Sequence, residues 1–380
     1  MKIALVSPYD WCVRGGVNAH ISQLADQFRE WNHEVTIIAP ASDKKAAEQE
    51  CIVMGEPVAL PVSGSMARIT FTWQPKVIKE LLEQGQFDIV HLHEPLMPLL
   101  TYQILRYSRA INVGTFHAAK EGGNRFYGYT KPLTKRWFRK LDGKIAVSPT
   151  ASQLVSRYFA GYFNIIPNGI AYNHFSKEHE PFPELMDGKL NLLFVGRPEK
   201  RKGLQYLLRS YLQLQEQSKN IRLIVVGAGS FKRYEQFMEH RGANVIFRSN
   251  VPYSELPRYH ASADIFCSPA TGNESQGIAI LEAMAAGVPV IASNIDGFAG
   301  VITDEVDGLL VQPKSEQAIT DAVLRLKDNP SLRNELGQHG QLQSRSYSWE
   351  SVARKVIAYY ERLQYERQQF NRIRNAKLDS

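Results

Sequence analysis

The sequence predicts an α/β protein built from two doubly wound halves, and three observations predict it. Short apolar runs alternate with amphipathic stretches through the first 166 residues, the pattern of parallel strands joined by crossover helices. The alternation stops in a charged, proline-bearing stretch at 176–187 and restarts near Leu190. A length of 380 residues then suits two domains, each with its own core.

In the first half, strands are predicted at Ile3–Ser7, Glu34–Ala39, Ile89–His93, Asn112–Phe116, Lys144–Val147 and Asn164–Ile166. Helices are predicted at Val17–Glu30, Pro75–Gln84, Leu99–Tyr107 and Thr150–Tyr158. Asn168-Gly169 is a turn signal suited to a hinge. The second half carries strands at Leu190–Val195, Arg222–Val226, Val245–Phe247, Ile265–Ser268, Val288–Ala292 and Leu309–Val311. Its helices fall at Gly203–Gln217, Lys232–His240, Glu255–Ser262, Ile278–Ala286 and Ser315–Leu326, and a long one follows at Trp349–Gln369. The domains are therefore drawn at 1–168 and 169–350, with a closing helical segment at 351–380.

Composition narrows the class. Hydrophobic residues make up 44% of the chain, as in a soluble globular protein, and no apolar run is long enough to span a bilayer. The opening Met1–Val6 reads as a first strand, not a signal peptide, because no cleavage region follows it. Cys12, Cys51 and Cys267 show no paired metal spacing, which favours a reduced cytoplasmic compartment over a disulfide framework. A net charge of +7 admits nucleic-acid, membrane or anionic-substrate partners alike.

Ligands of doubly wound sheets gather at the carboxyl ends of strands, and the motifs cluster there. The centre of the chain's chemistry is 273–292. A polar loop runs into a short helix opening at Gly277-Ile278, and Gly287 and Pro289 end that helix before an apolar strand. The helix's first N–H groups would favour an anion. Glu274 in the loop and Glu282 one to two turns along the helix would flank it, suited to accepting hydrogen bonds from hydroxyls. A nucleotide diphosphate sugar supplies both parts. Arg197 and Lys202, between a strand and a helix, place positive charge where a diphosphate leaving group needs it, without a metal. No Asp-x-Asp motif occupies a comparable strand end, so neither a catalytic metal nor a cofactor is expected. Gly15-Gly16, after the first strand, lets a phosphate approach the backbone; the absence of G-x-G-x-x-G there argues against a nicotinamide or flavin enzyme. His91 and His93 share one face of a strand, and with no third ligand in view a packing or positioning role is preferred.

Glu274 and Glu282, with seven residues between them and Gly277 among these, resemble the E-x7-E signature of family 4 retaining glycosyltransferases. That family has the GT-B fold: two Rossmann-like doubly wound domains facing a deep cleft. Gly15-Gly16, Thr115-Phe116-His117, Asn168-Gly169, Gly196-Arg197 and Arg201-Lys202-Gly203 carry the likeness along nearly the whole chain. Within the family, Pro8-Tyr9, Gly15-Gly16-Val17, His93-Glu94-Pro95 and 64–68 look most like the phosphatidylinositol mannosyltransferases. The resemblance implies transfer with retention, no protein nucleophile, and a nucleotide-sugar donor, best taken as GDP-mannose. It implies that Gly16 contacts the donor diphosphate, that Tyr9 and Asn18 face the acceptor, and that His117 and Glu274 orient the sugar. Glu282 would hold the ribose hydroxyls, with Gly277 and Ile278 at the helix start beside the donor. Asn250 through Ser254, with Val251, would border the base. Relatives that use guanine often carry an acid there, whereas Tyr253-Ser254 stand here, so another nucleotide stays open. So do a UDP-sugar donor with diacylglycerol or a soluble acceptor, and a non-catalytic binder of the same fold.

The basic excess is local. From Asn124 to Lys144 seven cations (Arg125, Lys131, Lys135, Arg136, Arg139, Lys140 and Lys144) face one acid, Asp142, with five aromatic residues interleaved. Such a segment suits an anionic membrane surface, each cation contributing about 1 kcal/mol. Related lipid mannosyltransferases place an arginine where Arg68 stands, near the inositol phosphate. The expectation is a peripheral enzyme on the inner face of the plasma membrane, with Arg125, Lys135, Arg136, Arg139 and Lys140 toward phospholipid and no nucleic-acid partner.

Overall fold

The computed structural model describes residues 1–376 apart from Arg14, Ser63, Gly64, Lys120 and Glu121. The chain divides into two compact units: Met1–Asn168 together with the chain from Trp349, and Gly169–Ser348. The strands in chain order are β1 (Lys2–Val6), β2 (Glu34–Ala39), β3 (Ile52–Val53), β4 (Pro57–Val62), β5 (Ser65–Thr70), β6 (Ile89–His93), β7 (Ile111–Phe116), β8 (Gly143–Ala146) and β9 (Asn164–Ile165). In the second unit they are β10 (Leu190–Val195), β11 (Ile221–Gly227), β12 (Val245–Ser249), β13 (Ile265–Ser268), β14 (Val290–Ser293) and β15 (Leu309–Val311).

The first unit holds a parallel sheet in the order β3-β2-β1-β6-β7-β8-β9, and the second one in the order β12-β11-β10-β13-β14-β15. Both orders reverse beside the first strand of the sheet, which opens a ligand crevice above its carboxyl end. Alternate residues of β1 feed two cores, because successive side chains point to opposite faces. Ile3 and Leu5 pack with Ile21, Leu24 and Phe28 of the helix Gly16–Glu30. Ala4 and Val6 pack with Leu92, Ile78 and Ile104 on the other face. In the second unit Phe194 meets Leu207 and Val323, while Leu193 meets Ile280 and Met284.

The helix from Trp349 to Ala376 covers the first core: Val352, Ala353, Val356 and Tyr360 are all buried against it. The Tyr360 hydroxyl and His91 Nδ1 lie 2.5 Å apart with both side chains fully buried. Tyr360→Phe would strand His91 Nδ1 without a partner. Denaturant unfolding should therefore show a loss of about 1–3 kcal/mol, and a change within error would remove this bond from the ledger of stability.

Two stretches depart from the sequence reading. Residues 44–70, which it left without elements, hold the helix Lys44–Ala47, the short β3 and the antiparallel pair β4–β5. The stretch after Asn329, likewise unassigned, forms the helix Pro330–Ser344. The basic segment is the helix Arg125–Phe138, capped by Asn124, whose Oδ1 accepts from the amides of Phe126 and Tyr127.

Candidate active site

The second unit carries one cluster of candidate residues. Gly277 caps the helix Ile278–Ala285 at φ +81°, the left-handed region, and a Cβ there would meet the Phe298 ring at 2.7 Å. Behind the loop, Gly297 lies so close that a Cβ would fall 2.0 Å from the Glu274 carbonyl oxygen. The amide of Thr271 donates to the Arg201 carbonyl at 2.8 Å, tying this loop to the turn after β10. Glu274 consequently reaches the cations of that turn. Its Oε1 accepts from Arg201 Nη1 at 2.5 Å and from Lys202 Nζ at 2.8 Å.

Glu199 extends the network, with one oxygen 2.7 Å from Arg201 Nε and the other 3.0 Å from Arg197 Nη2. Three cations thus face two carboxylates, leaving one excess positive charge at the end of β10. Arg197 is the most exposed of the five and Glu274 the least. Sequence reading named Arg197, Lys202 and Glu274 but gave neither Arg201 nor Glu199 a role. The Glu between two arginines was the available signal.

Glu282 lies along the same helix and is buried, at 7% exposure. The Tyr253 hydroxyl donates to its Oε1 at 3.3 Å, and burial pushes its carboxyl up to about 7, against that hydrogen bond. The ring of Tyr253 stacks on His174, with centroids 5.1 Å apart. Val251 is half-buried against the second core, and Ile278 is partly exposed at the helix start.

The first unit carries a second cluster, described by itself. Gly15 caps the helix that opens at Gly16, and a Cβ on either glycine would meet nothing within 4 Å. Among the described residues, that space is open. Tyr9 is bridged to Ile69, and burial followed by the nearby Glu94 charge drives its hydroxyl pKa far upward. Arg68 is half exposed, with Nη1 3.5 Å from the buried Asp10 Oδ2. Asn18 is turned to its own chain: its oxygen accepts from Ser7 Oγ at 2.6 Å, and its nitrogen donates to the Asp10 carbonyl at 2.8 Å. It shapes the loop that carries Tyr9.

His117 follows β7, and the amides of His117 and Ala118 both donate to Glu94 Oε1, at 2.8 and 2.9 Å. Glu94 itself adopts φ +48°. The ring of His117 sits 2.9 Å (Nε2) from His93 Nδ1 and also engages Asn168. The sequence reading found no third imidazole for the His91–His93 pair. The fold supplies two, bringing His20 and His117 to His93, while His91 turns to Thr115 and Tyr360.

On the basic helix the side chains sort by face. Tyr127 and Phe138 are buried, and Trp137 stacks on Tyr102. Phe126, Tyr129 and Leu133 stay exposed, a stripe at helical spacing flanked by exposed Lys135, Arg136 and Arg139. Lys140 instead donates to the carbonyls of Leu105 and Arg106, so its charge is tied to the end of a neighbouring helix. The side chain of Arg125 lies outside the described residues. Among the described residues no helix is long and apolar enough to cross a membrane.

Each unit is thus a parallel, Rossmann-like sheet, and the second carries a cation-and-acid cluster at a strand end. Residues 14–173 match the Glycosyltransferase Family 4 domain and residues 176–343 the Glycosyl transferases group 1 domain. The phosphatidyl-myo-inositol mannosyltransferase of Mycobacterium leprae is 34% identical, covering 95% of this chain and 96% of its own. That of Propionibacterium freudenreichii is 31% identical, covering 95% and 94%. The chain belongs to the family 4 glycosyltransferases. Among solved structures, sucrose-phosphate synthase from Thermosynechococcus elongatus matches with a TM-score of 0.74 at 21% identity, over 96% of this chain and 99% of that one. Anabaena HepE in complex with UDP matches at 0.76 and 17% identity, over 95% and 100%. These likenesses concern the fold.

Proposed function

We propose that this enzyme moves mannose from GDP-mannose to the inositol ring of phosphatidylinositol, with retention at the anomeric carbon. The observation that carries the reading is the whole-length match, above 30% identity, to relatives bearing the name phosphatidyl-myo-inositol mannosyltransferase. The residues agree with it chemically. Arg197 and Lys202 stabilise the departing diphosphate, and Gly16 leaves its own backbone open to a phosphate. Glu274 orients the sugar hydroxyls together with His117, Glu282 receives the ribose hydroxyls, and Gly277, Ile278 and Val251 border the nucleotide. Tyr9 and Arg68 meet the lipid headgroup, and Asn18 acts by holding the loop that carries Tyr9. In the transfer the bond from the anomeric carbon to the phosphate oxygen breaks and the bond to the inositol oxygen forms on the same face. The hydroxyl proton passes to the leaving diphosphate. No resident cofactor enters.

Incubation with GDP-mannose or UDP-sugars, against phosphatidylinositol, diacylglycerol or free inositol, tests the assignment by product analysis. A mannosylated phosphatidylinositol formed only from GDP-mannose is expected. Transfer from a UDP-sugar, or to a soluble acceptor, would replace the donor or the acceptor in this reading.

The stripe Phe126, Tyr129 and Leu133 with its flanking cations is our proposed docking face for the cytoplasmic leaflet. Co-sedimentation should rise with anionic lipid and fall with salt. Neutralising Lys135, Arg136 and Arg139 to glutamine should remove about 1 kcal/mol each. Lys140→Gln should add little, because its ammonium already serves two carbonyls. Equal sedimentation with neutral and anionic vesicles would overturn electrostatic docking.

A further inference from the structure

Four imidazoles crowd the carboxyl ends of β6 and β7, and one is fully engaged: His91 Nε2 meets Thr115 Oγ1 at 2.6 Å and its Nδ1 meets Tyr360. The other three belong to His20, His93 and His117, and one ring nitrogen of each lies within 4.8 Å of the other two. We propose that these three histidines bind one borderline transition-metal dication, with Zn²⁺ as the type, and that its binding blocks the transferase.

The donor set suits such an ion and not Mg²⁺ or Ca²⁺, because it is all imidazole nitrogen and Glu94 is occupied by two backbone amides. Zinc–nitrogen bonds of about 2.0–2.1 Å in a tetrahedron place ligand atoms roughly 3.3–3.4 Å apart. His93 Nδ1 and His117 Nε2, at 2.9 Å, need to separate by only a few tenths of an ångström. His20, with its ring centroid 5.2 Å from that of His93 and 4.9 Å from that of His117, would close the remainder.

Protons do not obstruct the step. Burial, reinforced by neighbouring imidazoles for His20 and His93, pushes all three pKa values down, so the rings are neutral and carry lone pairs at pH 7. The proton now shared between His93 and His117 has a destination, since His93 Nε2 is buried and has no hydrogen-bond partner among the described residues. Moving it there frees both facing nitrogens without breaking another hydrogen bond. Outside the set, His20 Nδ1 lies 3.1 Å from Asn168 Oδ1 and His117 engages the same residue. A hydrogen-bond acceptor behind a ligating histidine fixes its tautomer and raises its basicity. His117 is only half-buried, which gives the ion an entry path and leaves a fourth position for water.

Metal binding stands on this geometry alone; the inhibition rests on the proposed place of His117 beside the sugar. Co²⁺ titrated into the untagged full chain should give visible absorption saturating at one ion per chain, displaced by Zn²⁺. His93→Ala should abolish it, and His20→Gln, a milder change on the buried face of the helix Gly16–Glu30, should weaken it strongly. Asn168→Ala should reduce affinity roughly ten- to a hundredfold. Zn²⁺ should also raise the melting temperature of the natural chain and not that of His20→Gln. An absent spectrum, or one unchanged in His20→Gln and His93→Ala, overturns the site. Binding without loss of turnover overturns the inhibition alone, and turnover measured in chelator tests the transferase reading separately.

Discussion

Lys202→Ala is expected to lower turnover about a hundred- to a thousandfold, some 3–4 kcal/mol of lost transition-state stabilisation. The size follows from where the ammonium stands. It is three-quarters shielded from solvent and held on Glu274, 2.8 Å away, so it needs no reorganisation when charge develops on the diphosphate. The fold should survive the change, because Arg201 still bonds both Glu274 and Glu199. Glu274→Gln should also slow turnover while leaving nucleoside diphosphate affinity nearly intact. Unchanged turnover with weakened donor binding in Lys202→Ala would reduce the lysine to a binding residue.

Glu282→Ala should weaken the free nucleoside diphosphate roughly ten- to a hundredfold, the loss of about 1.5–3 kcal/mol for hydrogen bonds to a charged group. The same carboxyl predicts a pH dependence. Burial holds it near 7, well above its value in the unfolded chain, so the folded protein takes up its proton as pH falls through 7. Ribose hydroxyls donate to the ionised form. Affinity should therefore climb from about pH 6 and level off by about pH 8. Folding stability moves the other way: keeping the buried group ionised penalises the folded state increasingly as pH rises from the unfolded pKa to 7, and constantly above it. Nucleotide phosphates also titrate in this range, and calorimetry on Glu282→Gln separates the two. A slope that persists in that variant would assign the titration to the ligand.

Much of the framework was legible because strands buried on both faces read as continuous apolar runs: Ile3 to Val6 and Leu192 to Phe194 are both fully or almost fully enclosed. The helix Pro330–Ser344 was not, since Gly337 and Gly340, poor helix formers, stand in its second half. Their missing side chains are what let the helix lie against its neighbours, a Cβ on Gly337 falling 2.3 Å from the Gly287 carbonyl oxygen. The pair β4–β5 was hidden by Pro57 and Pro61 in a short antiparallel ribbon beside a parallel sheet. At the candidate site the residue types were readable, their pairings were not. Nothing local tells that Arg201 reaches across 73 positions to Glu274, or that His20 on the first helix meets Asn168, 148 positions on.

The helix that begins at Trp349 belongs to the first unit yet is synthesised after all of the second. On the ribosome, residues 169–348 can close their own core while the core around Ile3, Leu5 and Phe28 still waits for Val352, Val356 and Tyr360. The earliest-made half is thus the last to be finished. A nascent chain stalled before Trp349 would present that unfinished core to chaperones, and a release delayed at this point would favour aggregation over assembly.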